Sequence, residues 1–93
     1  MNISVLDAPA AIIDVAMTAE EMREIREGLA LNQSQLARLL GVDYRTSVRW
    51  QQGEKRIPAS IARFLRLLAE AKISGMKAAR LIDRRMARLA TED

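Results

Sequence analysis

Residues 31–53 read Leu31-Asn-Gln-Ser-Gln-Leu-Ala-Arg-Leu-Leu-Gly-Val-Asp-Tyr-Arg-Thr-Ser-Val-Arg-Trp-Gln-Gln-Gly53. Local chemistry divides this stretch into two short helices. Asn32 stands three residues ahead of Gln35, the spacing of a capping box in which each side chain satisfies a free amide at the helix start. Leu36, Ala37 and Leu40 then supply an apolar stripe, which predicts a helix over 33–40. Gly41 takes the positive φ of a tight turn at no steric cost. Asp43 is an N-cap for a second helix over 44–52, which Gly53 closes. Two helices joined by the three-residue turn Gly41-Val42-Asp43 make a helix-turn-helix, and Ala37 is small enough for the second helix to cross close over the first.

Working outward, Thr18 and Glu21 repeat the capping-box spacing, and Met22, Ile25 and Leu29 follow at helical intervals. A helix over 19–29 is expected, with Gly28 at its fraying end. Downstream, the loop Glu54-Lys55-Arg56-Ile57 leads to Pro58, suited to the first position of another helix. Ile61, Leu65 and Leu68 line one side of that helix, broadened by Phe64 and Leu67. Ser74-Gly75 breaks the pattern, and a last helix over 76–89 sets Ala79, Ile82, Met86 and Leu89 on an inner stripe and Arg80, Arg84, Arg85 and Arg88 outside. Residues 1–17 read as an N-terminal arm, 18–72 as the helix-turn-helix domain and 73–93 as a C-terminal helical element. In the arm, Ile3 and Val5 alternate as in a short strand, and Ala10 to Ala16 has the composition of a short helix. The arm either crosses to a second subunit, stays disordered, or precedes a natural start at Met17.

With 93 residues the chain suffices for one small domain. Its aromatic residues are Tyr44, Trp50 and Phe64 alone, so aliphatic side chains and Met must build the core, which favours an all-α fold of five helices and an arm. There is no Cys and no His, which excludes disulfides, thiol nucleophiles, Cys-based zinc sites and the usual general base. No arrangement of the remaining polar residues suggests a catalytic site, and neither a metal nor a cofactor is expected. Net charge is +3, unevenly spread: residues 1–27 carry six acids against two bases, residues 28–71 seven bases against three acids, and residues 72–93 six bases against three acids. An acidic front and a basic remainder fit a polyanion on one side of the molecule. No apolar run approaches the roughly 20 residues that span a bilayer, and the start is a poor secretory signal. A cytoplasmic protein is expected.

The spacing from Gln33 through Ala37 and Gly41 to Trp50 and Gly53 resembles the Cro/C1-type (Xre family) helix-turn-helix of phage repressors and bacterial regulators. The likeness covers about residues 18–71, including the Arg56-Ile57-Pro58 that opens the fourth helix. It implies a lambda-repressor-like domain that binds double-stranded DNA as a homodimer, and a transcriptional regulator, commonly a repressor acting on its own promoter. By the same resemblance Gln33, at the start of the second helix, holds a phosphate, and Lys55 and Arg56 lie along the DNA backbone. Thr46 joins them as a backbone candidate, and Arg38 is a weaker one.

Helix 44–52 also has a reading of its own. At about 100° per residue, Tyr44, Arg45, Val48, Arg49 and Gln52 share one face, with Thr46, Ser47 and Trp50 on the other. Arg bonds guanine bidentately, Gln suits adenine and Val touches a thymine methyl, so the first face suits base edges in a major groove. Trp50 is expected in the core, as are Met22, Met76 and Met86.

Two positions depart from the family pattern. The family usually has an apolar residue where Ser47 stands and a polar one at Val48; either Ser47 is buried with its hydroxyl bonded back to the Asp43 carbonyl, or the helix is rotated or bulged by one position. Gln51 stands where the family often has a Glu paired with an Arg of the first helix, leaving Arg26 to bond an amide oxygen instead. The stripe Ala79, Ile82, Met86 and Leu89 either completes the core or forms a two-fold dimer seam. Alongside the regulator reading stands that of an antitoxin, whose arm or last helix binds a toxin while the central domain binds DNA.

Overall fold

The structure is a computed structural model and describes residues 15–91. Among these are five helices and no strand: α1 (Ala19–Gly28), α2 (Gln33–Leu40), α3 (Tyr44–Gln51), α4 (Ala59–Ala71) and α5 (Gly75–Thr91). The described residues are thus all-α with five helices, as expected. The strand reading of Ile3 and Val5 lies outside the described residues, as does most of the expected helix up to Ala16; Val15 and Ala16 themselves are not helical.

The caps form largely where the side chains dictate. Asn32 and Gln35 make the full capping box of α2, Gln35 N donating to Asn32 Oδ1 at 2.8 Å and Asn32 N to Gln35 Oε1 at 2.9 Å. Asp43 Oδ1 accepts from Thr46 N at 2.7 Å and starts α3. Gly41 ends α2 at φ 72°, a conformation that favours glycine. At α1 only half of the expected box forms: Thr18 Oγ1 accepts from Glu21 N at 3.0 Å, but the Glu21 carboxylate is engaged elsewhere. It takes a two-pronged bond from Arg66 of α4, at 2.9 and 2.8 Å. A third Arg66 nitrogen donates to Val15 O at 2.6 Å, so this one guanidinium ties the entry segment and α1 to α4. Helix ends differ from expectation: α1 stops at Gly28 instead of residue 29, α3 at Gln51 instead of 52, and α5 runs Gly75–Thr91 instead of 76–89. The left-handed residue after α1 is Ala30 (φ 60°), and Pro58 caps α4 instead of being its first residue.

Helix α1 packs against α3 and α4, and α2 packs against α3 and α5. Met22, Leu36 and Leu65 are fully buried at the centre, with Leu29, Leu31, Leu39, Trp50, Ile57, Ala62, Leu68 and Ala78 around them. Trp50 is core as expected. Met17, which the sequence assigns to the arm, is also buried there. Leu39 occupies a core place, and Leu40 is only partly buried. Leu67, expected to broaden the apolar side of α4, is exposed.

The expected methionine filler divides: Met22 is core, but Met76 and Met86 are exposed by 49% and 60%. The reason lies in how α5 meets the domain. Its first turn approaches through small residues, Gly75 and Ala78, both buried, and Gly75 N donates to Leu29 O at 3.1 Å. Every side chain from Leu81 to Leu89 is exposed, so the second half of the helix adds nothing to the buried core. No helix among the described residues is long and apolar enough to cross a membrane.

Two outcomes are expected. A Cβ at Gly75 would lie 2.4 Å from Leu31 Cγ and nearly as close to both methyls, so the whole head of a buried Leu would have to move. Gly75→Ala should therefore destabilise by about 1–3 kcal/mol in a urea melt. The Arg66 hydrogen bonds hold the Glu21 carboxyl below its ordinary value of 4.5. That stabilisation is present above the ordinary value and is lost as pH falls through the lowered folded one. Glu21→Gln should lower stability at neutral pH and flatten the acid-side decline of the melting temperature.

Candidate nucleic-acid interface

Helix α3 presents two unlike faces. Ser47, Trp50 and Gln51 are buried; Tyr44, Arg45, Arg49 and Gln52 are exposed; Thr46 and Val48 are intermediate. The helix is regular from Tyr44 to Gln51, so of the two alternatives left by Ser47 the buried one holds, and no bulge shifts the faces. The five candidate base-reading residues Tyr44, Arg45, Val48, Arg49 and Gln52 therefore remain on the outward side. Asp43 lies at the start of this face. Its carboxyl is held below its ordinary value by the Thr46 backbone and hydroxyl, and to a lesser degree by the charges of Arg45 and Arg49. This one acid serves the helix start and leaves the guanidiniums in excess.

Beside Trp50 the inward side of α3 carries a polar network, whose hub is Gln51, 2% exposed. Gln51 Oε1 accepts from Arg26 Nε of α1 at 2.9 Å. Gln51 Nε2 donates to Gln33 Oε1 of α2 at 2.7 Å, and it also contacts Ser47 Oγ and Ser47 O at 3.1 Å each. Arg23 of α1 donates to the Gln51 backbone carbonyl, and Arg26 Nη1 donates to Leu31 O at 3.0 Å. No buried side-chain polar atom among the described residues lacks a partner. The expectation that Arg26 bonds an amide oxygen is met. Ser47, expected to bond back to Asp43, instead offers its hydroxyl oxygen to Gln51. Ser47 and Gln51 are thus bonded to each other. A serine stands at 47 one helical turn before the neutral amide at 51, and an apolar residue there would leave that amide without the hydroxyl contact.

The candidate backbone residues fall in three settings. Lys55 and Arg56 are exposed in the loop after α3. Thr46 is half-buried, its amide engaged by Asp43. Gln33 is half-buried at the first position of α2 and is tied to Gln51 through its oxygen. Arg38 is exposed on α2.

The candidate dimer residues lie on α5. Ala79 is half-buried, while Ile82, Met86 and Leu89 are exposed by 38%, 60% and 45% and do not complete the monomer core. Beside them a groove of about 310 Å³ runs between α2 and α5, lined by the apolar Leu31, Leu39, Met76, Ala79 and Ile82 and by the polar Gln35, Arg38, Arg80 and Asp83.

Sequence reasoning missed Arg23, and it gave Gln51 no contact beyond Arg26. The available signal was the i, i+4 pair Ser47 and Gln51 on the inward face. A scan against family models finds no match for this chain, and searches of curated proteins and of solved structures find none either.

Proposed function

We propose that the chain is a sequence-specific, DNA-binding transcriptional regulator that inserts α3 into the major groove. The observation that carries this reading is the division of α3. A polar network locks its inner face, while two guanidiniums, an amide, a phenol and a valine methyl pair face solvent at the end of a helix-turn-helix. An exposed helix face without a reading role has no need of so fixed a backing. The resemblance of residues 31–53 to the Cro/C1-type pattern and the excess of bases after residue 27 support the same reading.

Arg45, Arg49 and Gln52 take base edges, with Tyr44 and Val48 beside them. Gln33, Thr46, Lys55 and Arg56 take the phosphates, which set register without carrying sequence information. The protein works in the cytoplasm as a homodimer on an inverted repeat, with half-site centres about 10–11 bp apart. Occupying a promoter in this way blocks polymerase, and repression of its own gene follows naturally. The α5 stripe is the dimer seam. Burying the apolar area that Ile82, Met86 and Leu89 still expose is favourable by roughly 25 cal/mol per Å², and a two-fold pairing of α5 recovers it on both copies.

Selection from a randomised duplex library tests the reading directly. An enriched inverted repeat is expected, and no enrichment with the purified protein would overturn it in favour of a partner-dependent antitoxin. Arg45→Ala or Arg49→Ala should cost about 1–3 kcal/mol at the selected site and relax base preference. Lys55→Ala should weaken binding to all sequences alike and lower the salt slope by about one. Met86→Glu should yield monomers in sedimentation equilibrium while the helical circular-dichroism signal persists. An unchanged dimer would remove α5 as the seam.

A further inference from the structure

We infer that Gln51 is a positioning residue for phosphate binding, acting through Gln33; the inference rests on the DNA-binding reading above. The orientation of each amide follows from what its neighbours can donate. A guanidinium only donates, so the end of Gln51 facing Arg26 Nε must be its oxygen. The Ser47 carbonyl only accepts, so the opposite end is the amide nitrogen. One of its two hydrogens is shared between Ser47 O and Ser47 Oγ, both at 3.1 Å, and the other goes to Gln33 at 2.7 Å. Gln33 must therefore present its oxygen inward. Its own NH₂ is then the outward end, and it has no hydrogen-bond partner among the described residues.

The result is a directed chain from Arg26 through Gln51 to Gln33, carrying a donor from the interior to the first residue of α2. Each bond polarises the next, so the terminal NH₂ is a stronger donor than a free glutamine and is held in one orientation. A phosphodiester at the start of α2 then meets a fixed donor as well as the amide end of the helix. A Glu at 51 would pair with Arg26 but has no hydrogen to give Gln33. Facing a carboxylate, Gln33 would turn its NH₂ inward and its oxygen toward the phosphate. Gln51 is thus specific to this arrangement, because packing and charge pairing alone would accept Glu as readily.

The test is a double-mutant cycle on the full chain, with a fluorescein-labelled duplex of mixed sequence at low salt as the probe. Gln51→Glu should keep a melting temperature no lower than the unaltered protein, since Arg26 gains a carboxylate. Its affinity should fall by roughly ten-fold more in the presence of Gln33 than in a Gln33→Ala background. The added negative charge weakens both backgrounds equally, so equal losses would overturn the inference, as would no loss at all. If Gln51→Glu does not fold, the side-chain NH₂ resonances of Gln33 in the unaltered protein decide. They should shift when duplex is added, and resonances that stay in place overturn the inference. Duplex binding with additive mutations removes this inference alone, whereas absence of duplex binding removes the DNA reading together with it.

Discussion

The buried amide of Gln51 is the constraint on which the arrangement of α3 depends. Helix α3 has eight residues, too few to be stable alone, and among its buried side chains only Trp50 is large and apolar. Its direction is therefore set by what its polar back must satisfy. A buried amide without partners costs about 1–3 kcal/mol, a large share of the stability of a domain this size. Gln51 avoids that cost only when Arg26 of α1, Gln33 of α2 and Ser47 of its own helix are all in place. Three helices are thereby locked into one register by a single side chain. An apolar contact would have tolerated several rotations of α3; the hydrogen-bond geometry admits far fewer.

The same network explains how a cation sits near the interior without a close carboxylate. The Arg26 side chain is 17% exposed, and its nearest acid, Glu27, is 4.0 Å away and largely in solvent. Desolvating a guanidinium is expensive unless its hydrogens are met, and here Gln51 Oε1 and Leu31 O meet them. Arg23 on the same helix takes the final carbonyl of α3, where the helix dipole favours positive charge. Helix α1 thus serves α3 with two guanidiniums. On the other side of the domain Arg66 does similar work, joining Glu21 and the Val15 carbonyl so that Met17 enters the core.

Helix α5 is half inside the domain and half outside. Gly75 and Ala78 bring its first turn against Leu29 and Leu31, and beyond Ala79 its apolar stripe is largely exposed. Arg80, Arg84 and Arg88 lie largely away from that stripe, and Arg85 borders it beside Leu89. The proposed dimer uses the stripe and leaves the first three arginines facing out.

Local signals were legible in the sequence wherever the physics is local. Asn32 with Gln35, Asp43 with Thr46, and the positive φ of Gly41 act over three or four residues, and each formed as its side chains dictate. The same is true of the outward face of α3, which follows from helical periodicity alone. Long-range partners were not legible. Thr18 and Glu21 have the spacing of a capping box, yet Arg66, 45 residues on, took the carboxylate, because a bidentate guanidinium outcompetes one backbone amide. Met86 and Ile82 have the spacing of core residues, but a stripe does not reveal whether a helix lies opposite it. The amino-acid sequence by itself determined the five helices of the described residues, the caps of α2 and α3 and the residues that α3 turns outward. Only tertiary structure decided that Gln51 joins α1, α2 and α3, and that α5 leaves half its apolar face open, since both depend on which distant surfaces meet.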